Sequence, residues 1–555
     1  MTTLSDANGV AGTNKGAAVA DARSATSQSP VSEKEKILIG TWLCEEGPYQ
    51  EYIANLSGSN PGLSKADPNN HRHPLKPGNA LVVLLDAAST GEVEFNRRDF
   101  KNASELRQHF AVNDNTHDRR RVYIMEGLAQ DFVAIIGGHF FMEPTFFQRQ
   151  ERTCVWSNEF TPTSDALPQP SILDPDSAFH LQYCELRHFN KAIENKPYFC
   201  HRTRRHMGVT STRPKEKSTT GILRRKISWW CRKTTNGGWD VVILCDPQLI
   251  ELEPRPNEVL ERDARMIPIT NPDDLKNDPF QGGYIDFLPP ASRERASLKP
   301  RHPHGSMLKN LVHYFENHAD LLDENDWEDP VTSSLFLKKI VAAHYLQLVD
   351  YIKAMLPSLE LRLTTAWVEE QGQWKSLQTI SRRCGNYSDD IEDTLVSLGY
   401  PLEVLHRKGR PEWKDCQKDF QYIYFRLKIL KERADTLMGA MTGLASIAGN
   451  RQNLEEAKRV KRLNLLALLF IPLAYTSSLF SMQDNFAPGN GKFWVYWVSA
   501  LSVVALTLIT TWVLDSALND EAQWTVPYKQ MFKRLGFRSN EDESGPQRAG
   551  TGFYK

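Results

Sequence analysis

Two long apolar runs stand out from the pattern of hydrophobic and polar positions along the chain. They cover residues 463–481 and 493–514, and neither contains Asp, Glu, Lys or Arg. At about 1.5 Å of rise per residue, helices of about 19 and 22 residues reach about 28 and 33 Å, close to the roughly 30 Å of a bilayer's hydrocarbon core. Because lipid offers the backbone no hydrogen-bond partners, both runs are predicted to be transmembrane helices.

Basic residues border this hairpin on the side away from its short connection. They are Lys458, Arg459, Lys461 and Arg462 before the first run, and Lys529, Lys533, Arg534 and Arg538 after the second. The connection, 482–492, carries only Asp484 and Lys492. Since basic flanks stay on the cytoplasmic side, both termini are predicted to be cytoplasmic, with the plasma membrane as the expected location. No apolar stretch near the N-terminus resembles a cleavable signal peptide.

A regular apolar stripe precedes the first run. Its residues are three and four apart, the spacing of a coiled-coil seam: Phe420, Ile423, Leu427, Leu430, Ala434, Leu437, Met441, Leu444 and Ala448. No proline occurs from 412 to 471, so one helix is predicted to continue into the membrane. Two further helices are predicted at 333–355 and 358–385, separated at Pro357. Residues 331–462 are therefore predicted to form a helical stalk.

The pattern upstream of the stalk is mixed. Residues 80–86 and 122–125 have the short apolar runs of buried strands, and 128–136 is predicted to be a short helix. The runs at 227–232 and 239–245 surround an Asn-Gly-Gly turn and indicate a hairpin. We expect a cytoplasmic domain of the α/β or α+β class over 36–330. The complete prediction is this domain, the helical stalk and two C-terminal transmembrane helices.

Three other segments have simple interpretations. Residues 1–35 are small and polar, too poor in large apolar side chains to fold, and are predicted to be disordered. Residues 291–306 form a basic, proline-containing linker, and 515–555 form a cytoplasmic tail.

Composition narrows the possible functions. The formal net charge of −1 gives no reason to expect nucleic acid, and the eight scattered cysteines are expected to be free thiols. No hydrolase or nucleotide-binding motif is present, so the chain is not expected to be an enzyme. Cys200, His201 and His206 lack the fourth ligand and the conventional spacing of a zinc site, and a solvated basic strip is the favoured interpretation.

The first membrane run has one small, partly polar face. That face consists of Asn464, Ala467, Ile471, Ala474 and Ser478, while leucines and Phe480 occupy the opposite side. Such a face suits a helix that lines a narrow water-filled path. It equally suits close packing of one helix on another, and this alternative stays open. Two helices enclose no pathway, so several copies would have to assemble.

The end of the first run carries amide and carbonyl oxygens. It reads Ser481-Met482-Gln483-Asp484-Asn485. Because Mg²⁺ releases its inner waters reluctantly, recognition of the hydrated ion by a ring of amides is physically reasonable. Ser481, Met482 and Gln483 are therefore the candidate ion-selectivity mouth.

These features resemble the CorA-type magnesium transporter superfamily, in particular its divergent fungal CorA-like branch. The similarity is strongest in LALLFIPLAYTSSLFSMQ, residues 466–483, and stretches at 123–147, 236–247 and 339–352 are compatible with it. The resemblance implies a homopentamer in a lipid bilayer, a cytoplasmic funnel and a pore lined by the first membrane helix. It also implies divalent cations as substrate, with Mg²⁺ as transported and regulatory ion and no other cofactor.

One departure from the family pattern defines an alternative. The family's mouth signature is Gly-Met-Asn, whereas this chain has Ser481, Met482 and Gln483. A longer amide changes how a hydrated ion is held, so the alternative function is a membrane-anchored scaffold or sensor that has lost conduction. The family's regulatory carboxylates do not map onto single residues here. The acidic turn at 323–330 supplies available acids and is otherwise expected to be merely solvated.

Overall fold

The structure is a computed structural model that describes residues 41–517. Its main gaps are at 68–74, 114–117, 153–168, 194–197, 211–217, 255–275, 290–303, 361–366, 404–411 and 482–488, with several shorter ones. The predicted disordered tail (1–35), most of the basic linker and all but the first residues of the C-terminal tail lie outside the described residues. The chain divides into two compact units, 1–439 and 440–555.

The first unit is built on a ten-stranded mixed sheet. Its strands are β1 Leu81–Ala88, β2 Asn96–Phe100, β3 Arg119–Glu126, β4 Ala178–Phe189, β5 Tyr198–Cys200, β6 His206–Val209, β7 Thr219–Lys233, β8 Trp239–Cys245, β9 Leu252–Pro254 and β10 Asn277–Pro279. The order is β2-β1-β3-β8-β7-β6-β5-β9, and β4 pairs with both β7 and β10. Only β3 and β8 pair in parallel; the other described pairs are antiparallel.

The strands form where the sequence places apolar residues. β1 covers the predicted strand 80–86 from Leu81 onwards, and β3 contains the predicted strand 122–125. β7 and β8 form the predicted hairpin, with Lys233 opposite Trp239. Gly237 in the turn has a φ of 78°, which only glycine adopts at little cost. Alternate residues such as Val82, Leu84 and Tyr123 are buried with the neighbouring helices in one apolar core.

Nine helices are described. They are α1 Pro48–Leu56, α2 Ala103–Asn113, α3 Gln130–Phe140, α4 Thr145–Glu151, α5 Met307–His318, α6 Ser334–Glu360, α7 Trp367–Ser397, α8 Cys416–Phe480 and α9 Phe493–Ala517. The helix predicted at 128–136 corresponds to α3. The sequence analysis missed α5, which begins at an N-cap where the Ser306 hydroxyl accepts a hydrogen bond from the Lys309 N–H at 3.4 Å.

The predicted break at Pro357 is wrong, because α6 continues through Pro357 to Glu360. A proline removes only one backbone hydrogen bond, and here it does so in the last turn, where the proline is exposed to solvent. The neighbouring Leu356 is fully buried and keeps this turn against the rest of the unit. The described chain then enters α7 at Trp367, and α7 extends to Ser397, beyond the predicted end at 385.

The long helix is confirmed: α8 runs without interruption from Cys416 to Phe480 and contributes to both units. The stripe upstream of the membrane behaves differently from a seam between chains. From Phe420 to Leu437 its residues are buried within the first unit of the single chain. Leu444 is 45% exposed, and Ala448 is also exposed. The segment from Phe420 to Leu437 therefore packs α8 onto its own chain rather than onto a second copy.

One buried histidine makes the first unit sensitive to acid. The His344 ring lies against Tyr183 and Tyr284, with centroids 5.1 and 4.8 Å apart, and burial lowers the His344 pKa to about 4. In the unfolded chain the pKa returns to about 6.5. As the pH falls from about 6.5 to 4, the unfolded state therefore binds a proton that the folded state does not, and stability is lost.

We expect His344→Phe, which keeps a ring at this position, to reduce the pH dependence of stability. The full chain would be melted between pH 7.5 and 4.5, and the midpoint of the variant should fall less steeply than that of the wild type. An identical pH dependence in both proteins would contradict this role of His344.

Candidate functional site

The C-terminal part of α8 and most of α9 contain the two apolar runs that are predicted to cross the membrane. Within the described residues, α8 and α9 are both long and apolar enough to cross a membrane, judged by length and composition. They contain the predicted runs 463–481 and 493–514, except that α8 ends one residue earlier, at Phe480. The fold class predicted from the sequence is confirmed as an N-terminal α/β domain, long helices and two candidate C-terminal membrane helices.

Hydroxyl groups in the two helices satisfy their own hydrogen bonds. The Thr476 Oγ1 donates to the carbonyl oxygens of Pro472 and Leu473, at 3.0 Å each. In α9, serine and threonine hydroxyls donate to carbonyls three or four residues earlier; they belong to Ser499, Ser502, Thr507, Thr510 and Thr511. A polar group that closes its bond within its own helix has little need of water, which makes these side chains compatible with lipid.

α8 and α9 pack on each other along a narrow strip. The Phe480 and Tyr496 rings contact each other edge to face, with centroids 5.8 Å apart. Pro472 and Thr476 are the buried residues of α8 in this region, and Ala500 and Val504 are those of α9. In an antiparallel pair that starts at the two rings, these residues lie at matching heights, so we assign them to one contact. This contact could have been predicted from the four-residue spacing of Pro472, Thr476 and Phe480.

The five predicted pore-lining residues share one exposed face of α8. Asn464, Ala467, Ile471, Ala474 and Ser478 are all exposed in the single chain, and Ile471 reaches 68%. At about 100° per residue, the centre of this face lies roughly 160° around the helix from the centre of the strip that contacts α9. The face is therefore unoccupied by the second membrane helix of the same chain.

The predicted mouth is only partly described. Ser481 is exposed; its N–H donates to the Ser477 carbonyl at 3.0 Å, and its hydroxyl donates to the Ser478 carbonyl at 3.2 Å. This serine therefore extends the hydrogen bonding of the helix beyond Phe480. Met482 and Gln483 lie outside the described residues, so their part in the mouth stays a prediction.

The acidic turn combines exposed carboxylates with a buried anchor: Asp323, Glu324, Glu328 and Asp329 are exposed, as the solvated interpretation expects. It is built around Trp327, which is fully buried and whose carbonyl accepts a hydrogen bond from the Trp239 Nε1 at 2.8 Å. Lys414 pairs with Asp323 and Asp326, and Lys233 pairs with Asp329 at 3.3 Å. The hydrogen bond from Lys414 is the main cause of a lowered Asp326 pKa. The two lysines thus offset part of the turn's negative charge, which leaves less of it for a regulatory cation.

No metal centre is evident in the part of the chain that the structure describes, where no group of three or more His, Cys, Asp or Glu side chains is arranged to hold an ion. Cys200 is buried at the end of β5, while His201 and His206 are half-buried. The seven cysteines that are described form no disulfide with one another.

The sequence analysis overlooked an exposed aromatic stripe on α8. Tyr422 and Phe425 are 53% and 51% exposed, and the half-buried Ile429 continues the same line. Their three- and four-residue spacing was visible in the sequence, parallel to the stripe that begins at Phe420. Since large rings on a monomer's surface often mark an interface, this line is a candidate contact between copies of the chain.

Comparison with known proteins identifies the C-terminal region. Residues 314–515 match the family model of the CorA-like Mg²⁺ transporter protein. Two solved structures are similar over most of the chain. The CorA magnesium transporter from Methanocaldococcus jannaschii has 9% identity and a TM-score of 0.30, covering 77% of this chain and 96% of that one. The full-length CmaX protein has 10% identity and a TM-score of 0.29, covering 79% and 98%.

No curated protein sequence matches the chain significantly. At TM-scores this low the two structural similarities do not establish a shared fold, so the assignment rests on the matched segment, which runs from α5 through nearly all of α9. Residues 314–515, less than half of the chain, are thus similar to the family model of the CorA-like Mg²⁺ transporter protein.

Proposed function

We propose that several copies of this chain assemble in a membrane and pass divalent cations, with Mg²⁺ as the main substrate, down their electrochemical gradient. The observation that carries the proposal is the small, partly polar face of α8, which is exposed in the single chain and points away from α9. A ring of such faces would enclose water, which hydrates the Asn464 amide and the Ser478 hydroxyl.

The assembly would use α8 twice. The C-terminal part of α8 would line the path with Asn464, Ala467, Ile471, Ala474 and Ser478. Nearer the start of α8, the exposed rings of Tyr422 and Phe425 would supply apolar surface for contacts between copies. A homopentamer, with both termini in the cytoplasm and the plasma membrane as its location, is the arrangement that the resemblance favours.

Transport of this kind requires no covalent step. The ion would keep its inner waters, and Ser481 to Gln483 would hydrogen-bond that water shell at the mouth. Weak, reversible contacts of this sort allow the ion both to enter and to leave. We therefore propose that the protein is not an enzyme, and that Mg²⁺ acts as substrate and regulator rather than as a resident cofactor.

The alternative is a membrane-anchored scaffold or sensor without conduction. Serine and glutamine in the mouth, where the family has glycine and asparagine, favour it. Both functions predict a folded oligomer in the membrane, so only flux separates them.

Mg²⁺ uptake into vesicles tests the proposal. Full-length protein, confirmed as a folded oligomer, would be reconstituted with a Mg²⁺-sensitive dye inside the vesicles. We expect uptake above that of protein-free vesicles, reduced by about threefold or more in Gln483→Ala because the amide that holds the water shell is lost. Uptake equal to that of protein-free vesicles would contradict conduction and support the scaffold.

A further inference from the structure

Four basic side chains lie on α8 immediately before its apolar run. Lys458, Arg459, Lys461 and Arg462 are all exposed, and Arg462 directly precedes Leu463. Among the described residues, none of the four forms an ion pair or a side-chain hydrogen bond. Placed at the inner mouth of a cation pathway, such a group would repel the substrate, so its direction around the helix decides its role.

The four side chains point away from the predicted path. α8 is one unbroken helix through 458–478, so angles can be counted at about 100° per residue. The centre of the basic group lies about 180° from the centre of the face formed by Asn464, Ala467, Ile471, Ala474 and Ser478. It lies within about 20° of the strip that contacts α9. Even Arg459 and Lys461, the two members nearest to that face, are about 100° from its centre.

Because of this direction, the four basic side chains face a different environment from the residues that would line the path. In a ring of chains with the small faces inside, the opposite side of α8 faces α9 and the surrounding lipid. In a membrane, the border between charged and apolar residues at Arg462 and Leu463 would coincide with the boundary between headgroups and hydrocarbon. The four cations would then lie at the height of the lipid phosphates, on the outer side of the ring.

We propose that Lys458, Arg459, Lys461 and Arg462 form a binding surface for the headgroups of anionic phospholipids in the adjacent leaflet. The chemistry fits: a guanidinium donates two parallel hydrogen bonds to a phosphate, and an ammonium supplies a compact charge. A basic segment beside a membrane helix gains about fivefold in attraction to an anionic surface for each charge. The surface also anchors α8 at a fixed depth, which keeps the small face in register between copies.

The inference rests on the membrane placement of α8 and on the direction of its small face. It does not require that the protein conducts, so a lipid-binding measurement separates it from the proposed function.

The test compares two triple variants of the full chain. Lys458→Gln, Lys461→Gln and Arg462→Gln together remove part of the surface. The matched control, Lys428→Gln, Lys431→Gln and Arg451→Gln, removes the same numbers of lysines and arginines from exposed positions further from the apolar run of the same helix. Each protein would be reconstituted in equal parts of phosphatidylglycerol and phosphatidylcholine and purified in detergent, and the ratio of the two retained lipids would be measured.

We expect wild type and control to retain phosphatidylglycerol in several-fold excess, and the first variant to retain the two lipids in nearly equal amounts. Equal retention by the two variants would overturn the proposal. An unchanged lipid ratio together with faster Mg²⁺ flux in the first variant would also overturn the proposal, because that result would place the charges inside the path. Thermal midpoints of both variants would verify that each is folded.

Discussion

Ser478→Leu is expected to reduce Mg²⁺ flux per folded oligomer by about tenfold or more. Ser478 lies near the centre of the small face of α8 and is exposed in the single chain. In a ring of chains, one leucine per copy would narrow the path and remove the hydroxyls that hydrate it. An apolar constriction of this kind excludes water, and an ion that keeps its hydration shell cannot pass it.

Ser477→Leu is the matched control. Ser477 is the same residue type, is also exposed, and lies next to Ser478 but about 100° further around the helix. Leucine at this position meets lipid or a neighbouring helix, so flux in the vesicle assay should stay within about twofold of the wild type. If the two variants reduce flux equally, the small face is not the lining and the proposed path is wrong.

Trp327→Ala is expected to destabilise the first unit by about 3–5 kcal/mol. The indole is fully buried among Phe95, Phe315 and Trp239, with ring centroids 5.3, 6.1 and 6.3 Å away. Alanine would leave a cavity in the acidic turn, and the Ala319 carbonyl would lose the hydrogen bond that the Trp327 Nε1 donates at 3.3 Å. For a unit of this size the thermal midpoint of the full chain should fall by about 4–7 °C.

Trp374→Ala provides the comparison. Trp374 is on α7 and is 41% exposed, so its loss removes less buried surface than the loss of Trp327 and should move the midpoint by at most about 2 °C. Midpoints would be followed by far-ultraviolet circular dichroism, because the substitutions change tryptophan fluorescence directly. Equal shifts in both variants would show that Trp327 does not hold the acidic turn in place.

Local signals in the sequence were sufficient for much of the fold. The β7–β8 hairpin was predictable because two apolar runs surround a turn whose glycines accept a positive φ at little cost. The membrane helices were predictable because only long runs without charge match the thickness of a bilayer. In both cases the deciding interaction lies within the segment itself.

The errors arose where the deciding interaction is distant in sequence. A stripe that starts at Phe420 gives the spacing of a contact but not the partner, and the partner proved to be the same chain. Pro357 is tolerated because it lies in the last turn of α6, which no local pattern specifies. The buried anchor of the acidic turn was not predicted, because Trp239, which donates a hydrogen bond to the Trp327 carbonyl, is far away along the chain.

For the candidate site, periodicity identified the small face, since one helix sets the directions of all its side chains. It could not decide between water and a neighbouring helix as the occupant of that face, because that depends on other copies of the chain. The contact of Pro472 and Thr476 with α9 narrows the choice by leaving the small face outside the hairpin.

Thiol reactivity tests most directly whether the small face borders water. Ser478→Cys and Ser477→Cys would be reconstituted as folded oligomers and treated with a cationic, membrane-impermeant methanethiosulfonate, with the wild type as control for native cysteines. The account predicts that Ser478→Cys is modified within minutes and loses Mg²⁺ flux, while Ser477→Cys and the wild type keep theirs. Protection of Ser478→Cys from the reagent, or modification without any change in flux, would contradict it.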